Sequence, residues 1–284
     1  MIDLHTHSTA SDGVLSPAQL VQHAAEKKLT VLALTDHDTT AGMQEARTEA
    51  EKQGITFLGG IEITVQWTSG EFHLLGLGLT HTSDKLSDLI QFLKDARYQR
   101  NSQMAQKLRE QGVDITLEEV QARFDIPNIG RPHFAAVLQE KGIVRHRQQA
   151  FERYFAKGRP CYVDRTGADL DAAIQAIVTS GGVPVLAHPL SLYVSWGRME
   201  ETMCSIRDHG VKGLEAWHPG ARVAEAERFE QMAHKLGMCV TAGSDYHGEA
   251  IRADRHIGYT CGKKAIEDKY YFDELKPVLD ANLQ

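Results

Sequence analysis

Histidines and carboxylates recur at the ends of short apolar runs in this sequence. The first run ends in His5-Thr6-His7, and side chains two residues apart on a strand point to the same face. Asp12 follows in a turn, and the run Val31–Leu34 leads directly to Asp36 and His37. Ionisable groups beside buried strands are costly unless they are paired or bind a metal ion. This spacing therefore indicates a metal site.

The same pattern returns along the rest of the chain. Glu62 lies alone between two isoleucines, and His73 interrupts another apolar run. Further runs end at His188 and at Asp245-Tyr246-His247. Because six runs place such a residue at or near one end, unrelated polar residues are a poor explanation. A thiolate-free ligand set suits Mn²⁺, Fe²⁺ or catalytic Zn²⁺, and its size predicts two or three divalent ions, which together activate water for phosphoryl transfer.

The elements that must position these residues follow from hydrophobic patterning. Short apolar runs alternate with amphipathic, capped stretches, which is typical of repeated βα units. The predicted strands are Ile2–Leu4, Val31–Leu34, Thr56–Ile63, Phe72–Leu77, Pro184–Ala187, Gly213–Ala216 and Cys239–Ala242. In a parallel barrel the carboxyl ends of all strands lie on one face, where active sites gather. We therefore expect an α/β barrel of seven strands with the polar residues at one rim.

The middle of the chain breaks this rhythm. Residues 83–163 show amphipathic helical pattern and almost no strand signal. We expect residues 1–82 and 164–284 to form the catalytic barrel, with residues 83–163 as an inserted helical cap domain.

Composition narrows the partners. The 284 residues carry a net charge of −7, which argues against a broad cationic surface for duplex DNA. No apolar run approaches the roughly 20 residues that span a bilayer, and the N-terminus has no signal-type pattern. The four cysteines form no C-x-x-C pair, which favours a reducing compartment. We expect a cytoplasmic protein without a membrane partner, whose metal ions attract a small anionic substrate.

These motifs resemble those of the PHP family of metal-dependent phosphoesterases. The matching stretches are Asp3–Ser8 through Asp12-Gly13, Ala33–Asp38, Gly60–Glu62, His73, Ala187–Pro189 and Gly243–His247. The resemblance implies a distorted seven-stranded βα barrel with an inserted helical cap, and we expect Mn²⁺, with Zn²⁺ or Fe²⁺ as alternatives. It also implies three ligand sets: His5, His7, Glu62 and Asp245; Glu62, His73 and His188; and Asp12, His37 and His247.

The helical insert is similar to that of a subgroup with nucleoside 3′,5′-bisphosphate phosphatases and 5′-to-3′ exoribonucleases. Residues 129–135 and 157–163 carry this similarity. The subgroup usually continues its His-Pro pair with Gly-Arg-Tyr, whereas Leu190-Ser191-Leu192-Tyr193 follows here. An arginine expected to contact substrate is therefore missing. His218, His234 and His256 match no motif, and we expect them to be incidental.

The resemblance implies hydrolysis of a phosphate ester by metal-activated hydroxide. The implied substrate is a nucleotide (a 3′,5′-bisphosphate or AMP-like) or a short 5′-phosphorylated RNA. Arg131 would bind phosphate, His133 would bind phosphate or protonate the leaving oxygen, and Asp36 would serve catalysis by orienting a ligating imidazole. A surface role for Arg131 and a structural role for His133 stay open. The alternative functions are a small-metabolite phosphatase, as for histidinol phosphate, a metal-dependent amidohydrolase, and a purely structural metal cluster.

Overall fold

The computed structural model describes residues 1–68, 70–124 and 128–282. Within these residues one sheet joins its strands in chain order: β1 (Ile2–Asp3), β2 (Val31–Leu34), β3 (Thr56–Trp67), β4 (Gly70–Leu77), β5 (Val183–Leu186), β6 (Gly213–Trp217) and β7 (Cys239–Ala242). Beyond β7 the Asp245 N–H donates to His5 O at 2.9 Å, and the His7 N–H donates to Tyr246 O at 2.9 Å. These bonds join the two ends of the sheet into a nearly closed barrel, which confirms the predicted fold class.

Strand β4 departs from the expected all-parallel barrel. It runs antiparallel to both β3 and β5, whereas the other neighbouring strands are parallel. The expectation that strand carboxyl ends alone supply the rim is therefore wrong for β4. Its amino-terminal half reaches the rim, where His73 pairs with Thr64. In this long β3–β4 hairpin, His73 Nδ1 lies 2.8 Å from Glu62 Oε1.

The helices are α1 (Pro17–Glu26), α2 (Met43–Gln53), α3 (Asp84–Glu110), α4 (Leu117–Phe124), α5 (Arg131–Glu140), α6 (Arg147–Ala150), α7 (Leu170–Thr179), α8 (Trp196–Asp208), α9 (Val223–Lys235) and α10 (Lys276–Asn282). Ser16 starts α1 with a capping box to Gln19, and Asp169 caps α7. None of the helices in the described ranges combines the length and apolar character that a membrane crossing requires.

The chain forms two compact units. The first contains residues 1–90 and 167–284, and the second contains residues 91–166. Every residue of β2, β5, β6 and β7 is buried in the first unit. The second unit has its own core, in which Met104, Leu108, Phe134 and Phe155 are fully buried. The cap domain expected at residues 83–163 stays a prediction about domain organisation.

Candidate metal centre

All nine residues predicted as metal ligands lie in the first unit, where their side chains converge. Three overlapping groups hold ligand atoms within 4.8 Å of one another: His7, Asp12, His37 and His247; His5, His7 and Asp245; and His37, Glu62 and His73. His188 joins them because its Nε2 lies 2.9 Å from Glu62 Oε1. The structure therefore brings together every side chain that the motifs singled out as a ligand.

Glu62 lies at the centre of this cluster and is 1% exposed. Its two carboxylate oxygens lie between 2.8 and 3.4 Å from nitrogens of five imidazoles, those of His5, His7, His37, His73 and His188. Each oxygen faces at least two rings. A carboxylate in this position is suited to being shared between two bound ions.

The outer carboxylates complete the cluster from two loops. Asp245 Oδ1 lies 3.3 Å from His7 Nε2 and 3.6 Å from His5 Nε2. Asp12 Oδ1 lies 3.3 Å from His247 Nε2. Asp245 has a φ of 53° and His188 a φ of 25°, a left-handed backbone region that costs energy for residues other than glycine. Such strained backbone gathers at functional sites, which is consistent with a functional centre here.

The hydrogen bonding of the imidazoles tests whether metal ions fit. His5 Nε2 and His7 Nε2 face each other at 3.1 Å. His5 Nδ1 lies 2.8 Å from Glu215 Oε1, so Nε2 is the His5 nitrogen that faces His7 and Glu62. His7 Nδ1 is buried without a hydrogen-bond partner among the described residues, which is rare for a buried polar atom. Imidazole nitrogens and carboxylate oxygens that converge in this way, with one nitrogen left without a partner, fit divalent cations.

The charges of the cluster also shift its pKa values. Burial raises the pKa of Glu62, but the surrounding imidazoles outweigh burial and hold that pKa well below its ordinary value. Burial lowers the pKa of His37, but Glu62 and Asp12 outweigh it and raise the pKa to about 9. Burial and the charge of His247 lower the pKa of His7 to about 3. At neutral pH the metal-free His7 is thus neutral, while His37 holds a proton that a metal ion must displace.

Glu215 on β6 fixes two of the predicted ligands from behind. Its Oε1 lies 2.8 Å from His5 Nδ1, and its Oε2 accepts a 2.8 Å hydrogen bond from the His188 N–H. Such partners set the tautomer and orientation of a ligating imidazole. Sequence reasoning missed Glu215. Leu214-Glu215-Ala216 nevertheless repeats the signal used for Glu62, a lone carboxylate inside an apolar strand.

Asp36 supports a loop rather than an imidazole. Its carboxylate accepts hydrogen bonds from the Ser8 N–H at 2.7 Å, the Ser8 hydroxyl at 2.6 Å and the Ser11 hydroxyl at 2.5 Å. These bonds hold the turn that carries Asp12. The hydrogen bonds of Asp36 among the described residues join it to this turn and not to an imidazole. The catalytic role of Asp36 stays a prediction.

His218 is not incidental, contrary to the expectation from its lack of a motif. It is buried, and its Nε2 lies 3.3 Å from Asp245 Oδ2. The sequence does carry a signal for His218. It follows β6 directly, much as His188 follows β5 one residue later. His218 therefore contacts a predicted ligand without itself belonging to a group of converging ligand atoms.

Arg131 and His133 lie in the second unit, at the start of α5. The Arg131 guanidinium carbon lies 5.8 Å from the centroid of the Tyr162 ring. His133 Nδ1 accepts a 3.0 Å hydrogen bond from the Gly130 N–H, which caps the helix. The ring of His133 also lies 4.9 Å from that of Phe124. The substrate-binding and acid roles of Arg131 and His133 stay predictions.

Comparison with known proteins agrees with the site. The family model of the PHP domain matches residues 3–159. A 3′,5′-nucleoside bisphosphate phosphatase from Chromobacterium violaceum is 33% identical over 260 residues, which is 91% of this chain and 91% of that protein. A 5′-3′ exoribonuclease from Haemophilus influenzae is 34% identical over 245 residues, which is 86% of this chain and 89% of that protein.

A solved structure extends the match to the fold. It is that of an amidohydrolase from Chromobacterium violaceum with bound sulfate and no metal, and its TM-score is 0.84 at 31% identity, covering 99% of this chain and 96% of that one. The clusters of histidine and carboxylate ligands are able to bind metal ions. The domain match and the identities over most of the chain show that this protein belongs to the PHP family of metal-dependent phosphoesterases.

Proposed function

We propose that this protein hydrolyses a phosphate ester of a nucleotide or of short 5′-phosphorylated RNA, using two or three divalent ions, Mn²⁺ foremost. The observation that carries the proposal is the buried Glu62 carboxylate with five imidazoles around it. The names of the similar proteins, a nucleoside bisphosphate phosphatase and an exoribonuclease, support a nucleotide or RNA substrate.

The proposal assigns the ligands as the motifs predict. One ion would be held by His5, His7, Glu62 and Asp245, a second by Glu62, His73 and His188, and a third by Asp12, His37 and His247. Such ions lower the pKa of a water molecule and neutralise charge on phosphate oxygens. Glu215 would keep His5 in the tautomer that presents Nε2 to the ion. Because His5, His7 and Glu62 are buried, water screens the charges of this cluster poorly.

The proposed setting is the cytoplasm, with a small phosphorylated substrate as partner. The scattered cysteines favour a reducing compartment. A net charge of −7 argues against duplex DNA as the substrate.

Four substrates test the proposal. Mn²⁺-loaded protein is incubated with adenosine 3′,5′-bisphosphate, a short 5′-phosphorylated RNA, histidinol phosphate and an N-acyl amino acid. We expect phosphate from the bisphosphate or stepwise mononucleotides from the RNA, and neither from Glu62→Gln prepared in parallel. Phosphate from histidinol phosphate alone would favour the metabolite phosphatase. Deacylation without any release of phosphate or nucleotide would refute the proposal.

A further inference from the structure

A cavity of about 410 Å³ opens beside the candidate metal centre in the first unit. Two predicted ligands, His188 and Asp245, form part of its wall. The segment 190–193, where an arginine was expected from the subgroup pattern, forms another part and carries no cationic side chain. The positive charge of this cavity comes from two other residues, Arg252 and Arg255.

Arg255 is buried without adequate partners. The residue is 4% exposed, and its Nε makes no hydrogen bond. Its one ion pair among the described residues joins Nε to Asp254 Oδ2 at 3.6 Å, and that aspartate side chain is 68% exposed. A buried charge that lacks a close partner costs stability. Burial lowers the pKa of Arg255 for the same reason.

The contact between Arg255 and His218 does not satisfy the guanidinium. His218 Nδ1 accepts a 3.0 Å hydrogen bond from the Gly220 N–H. A neutral imidazole then carries its hydrogen on Nε2. Asp245 Oδ2, 3.3 Å away, accepts the hydrogen bond from this Nε2–H. Arg255 Nη1 lies 3.3 Å from the same Nε2, so two hydrogen-bond donors face each other there. The guanidinium has hydrogens to donate and no acceptor for them at His218.

We propose that Arg255 binds a second, non-scissile phosphate of the substrate in this cavity. The inference rests on the proposed function, in which the scissile phosphate contacts the metal ligands. His218 Nε2 lies 3.3 Å from both Arg255 Nη1 and Asp245 Oδ2, and we assign the anion at Arg255 to a group other than the scissile phosphate at the metal centre. A guanidinium fork matches phosphate oxygens in a bidentate arrangement. Arg255 is thus a specificity residue for substrates with two phosphates.

The test compares three nucleotides and three variants. Adenosine 3′,5′-bisphosphate, 3′-AMP and 5′-AMP are given to the Mn²⁺-loaded protein. Both monophosphates are included because, whichever phosphate ester the protein hydrolyses, one of them carries that ester and lacks the second phosphate. The variants are Arg255→Met, Arg255→Lys and the matched control Arg252→Met. Arg252 lines the same cavity and lies at the same 3.6 Å from Asp254, but its side chain is 48% exposed, whereas that of Arg255 is 4% exposed.

We expect Arg255→Met to lower the ratio of kcat/KM for the bisphosphate to that for the monophosphate by about 10- to 100-fold, as for a lost hydrogen bond to a charged group. Arg255→Lys should lose part of that ratio, because it keeps the charge and loses the fork. Arg252→Met should lose much less than Arg255→Met. An unchanged ratio in Arg255→Met, or an equal loss in Arg252→Met, would overturn the inference.

Two further measurements separate binding from folding and from turnover. The Tm of Arg255→Met should equal or exceed that of the wild type, since the variant removes a poorly paired buried charge; a clear fall would indicate a structural role instead. If the wild type releases no phosphate from any nucleotide, the proposed function fails. The role of Arg255 is then tested by calorimetry, which measures the affinity of the metal-loaded protein for the bisphosphate. Equal affinity of wild type and Arg255→Met would then refute the inference.

Discussion

The candidate metal centre and the start of α5 both contain histidines, yet the ring nitrogens at the two places have opposite kinds of surroundings. In the metal centre, His7 Nδ1 is buried without a partner, and His5 Nε2 lies 3.1 Å from His7 Nε2. At the start of α5, His133 Nδ1 accepts the Gly130 N–H at 3.0 Å and so completes the helix cap. The first arrangement is suited to binding cations, whereas the second forms a local structural contact.

The difference teaches that residue type alone does not identify a functional histidine. Buried polar atoms in folded proteins are nearly always hydrogen-bonded, so a buried ring nitrogen without a partner beside other ligand atoms indicates a site for a metal ion. A ring nitrogen that already accepts a backbone N–H is not available to bind a metal ion. The same reasoning separates carboxylates, because Glu62 faces five imidazoles while Glu49 is bonded to Gln22, Lys52 and Gln53.

Removal of the metal ions should have the largest effect on activity, because the proposed reaction depends on water activated by those ions. Chelation is expected to abolish turnover and to lower Tm, since ligands that bind only the folded state stabilise it. Readdition of Mn²⁺ at pH 7 should release protons. His37, with a pKa raised to about 9, must lose its proton to bind a metal, whereas His7, with a pKa of about 3, has none to lose.

The sign of the pH dependence follows from this competition. Protons and metal compete for His37, so the affinity for Mn²⁺ should rise with pH and level off above about 9. Titration calorimetry in buffers of different ionisation enthalpy counts the released protons. Metal uptake without proton release at pH 7, or an affinity that falls as pH rises from 6 to 8, would contradict the assignment of His37 as a ligand.

Glu62→Gln should come next in size. The substitution keeps the shape of the side chain and removes the negative charge that faces five imidazoles. Substitution of residues that only hydrogen-bond to metal ligands lowers metal affinity or activity by about 10- to 100-fold. Loss of a ligand shared by two ions should therefore reduce kcat by more than about a hundredfold. Metal content per chain, measured by elemental analysis, should fall with it.

Glu49→Gln is the matched control for Glu62→Gln. Glu49 is a buried carboxylate on α2 that belongs to none of the ligand motifs, and three side chains donate hydrogen bonds to its oxygens. Its substitution should leave metal content and kcat near wild-type values. Equal losses in the two variants would mean that buried carboxylates in general, not the metal centre, limit activity.

Glu215→Gln should have an intermediate effect. The amide keeps an acceptor for His5 Nδ1, but its NH₂ group then faces the His188 N–H that Oε2 accepts at 2.8 Å. Supports of this kind cost about 10- to 100-fold in metal affinity or activity when changed. Mn²⁺ affinity measured by calorimetry should show the loss even where saturating metal restores part of kcat. Wild-type affinity in this variant would show that Glu215 does not orient the ligands.

Glu215 also marks the limit of what the sequence predicts. Its strand was found, since Gly213–Ala216 was predicted and Gly213–Trp217 is observed. Strands Val31–Leu34 and Cys239–Ala242 have their predicted bounds, because buried apolar runs between turn residues define their own ends. A carboxylate in such a run shows that something pairs with it, but the sequence does not show whether the partner is a metal ion or His5.

Pairing direction and long-range contacts lay beyond local patterning. The apolar run Phe72–Leu77 predicts a strand equally well in either direction, so the antiparallel β4 was missed. His218 and Arg255 match no motif, and only the fold places them 3.3 Å apart beside Asp245. The ligand positions could be predicted because most of them lie within or just after an apolar run that the sequence defines as a strand. Their supporting residues come from distant segments that no spacing rule connects.

His133 should show the smallest effect and decides whether the comparison holds. If its ring only caps α5, His133→Ala lowers the free energy of unfolding by about 1 kcal/mol, the usual cost of a lost helix cap. His133→Gln should recover most of that loss, because glutamine at this position accepts the same backbone N–H in a capping box. Denaturant unfolding measures both variants. A kcat reduced by about a hundredfold in both, with unfolding unchanged, would instead match acid catalysis and would show that a satisfied ring nitrogen does not exclude chemistry.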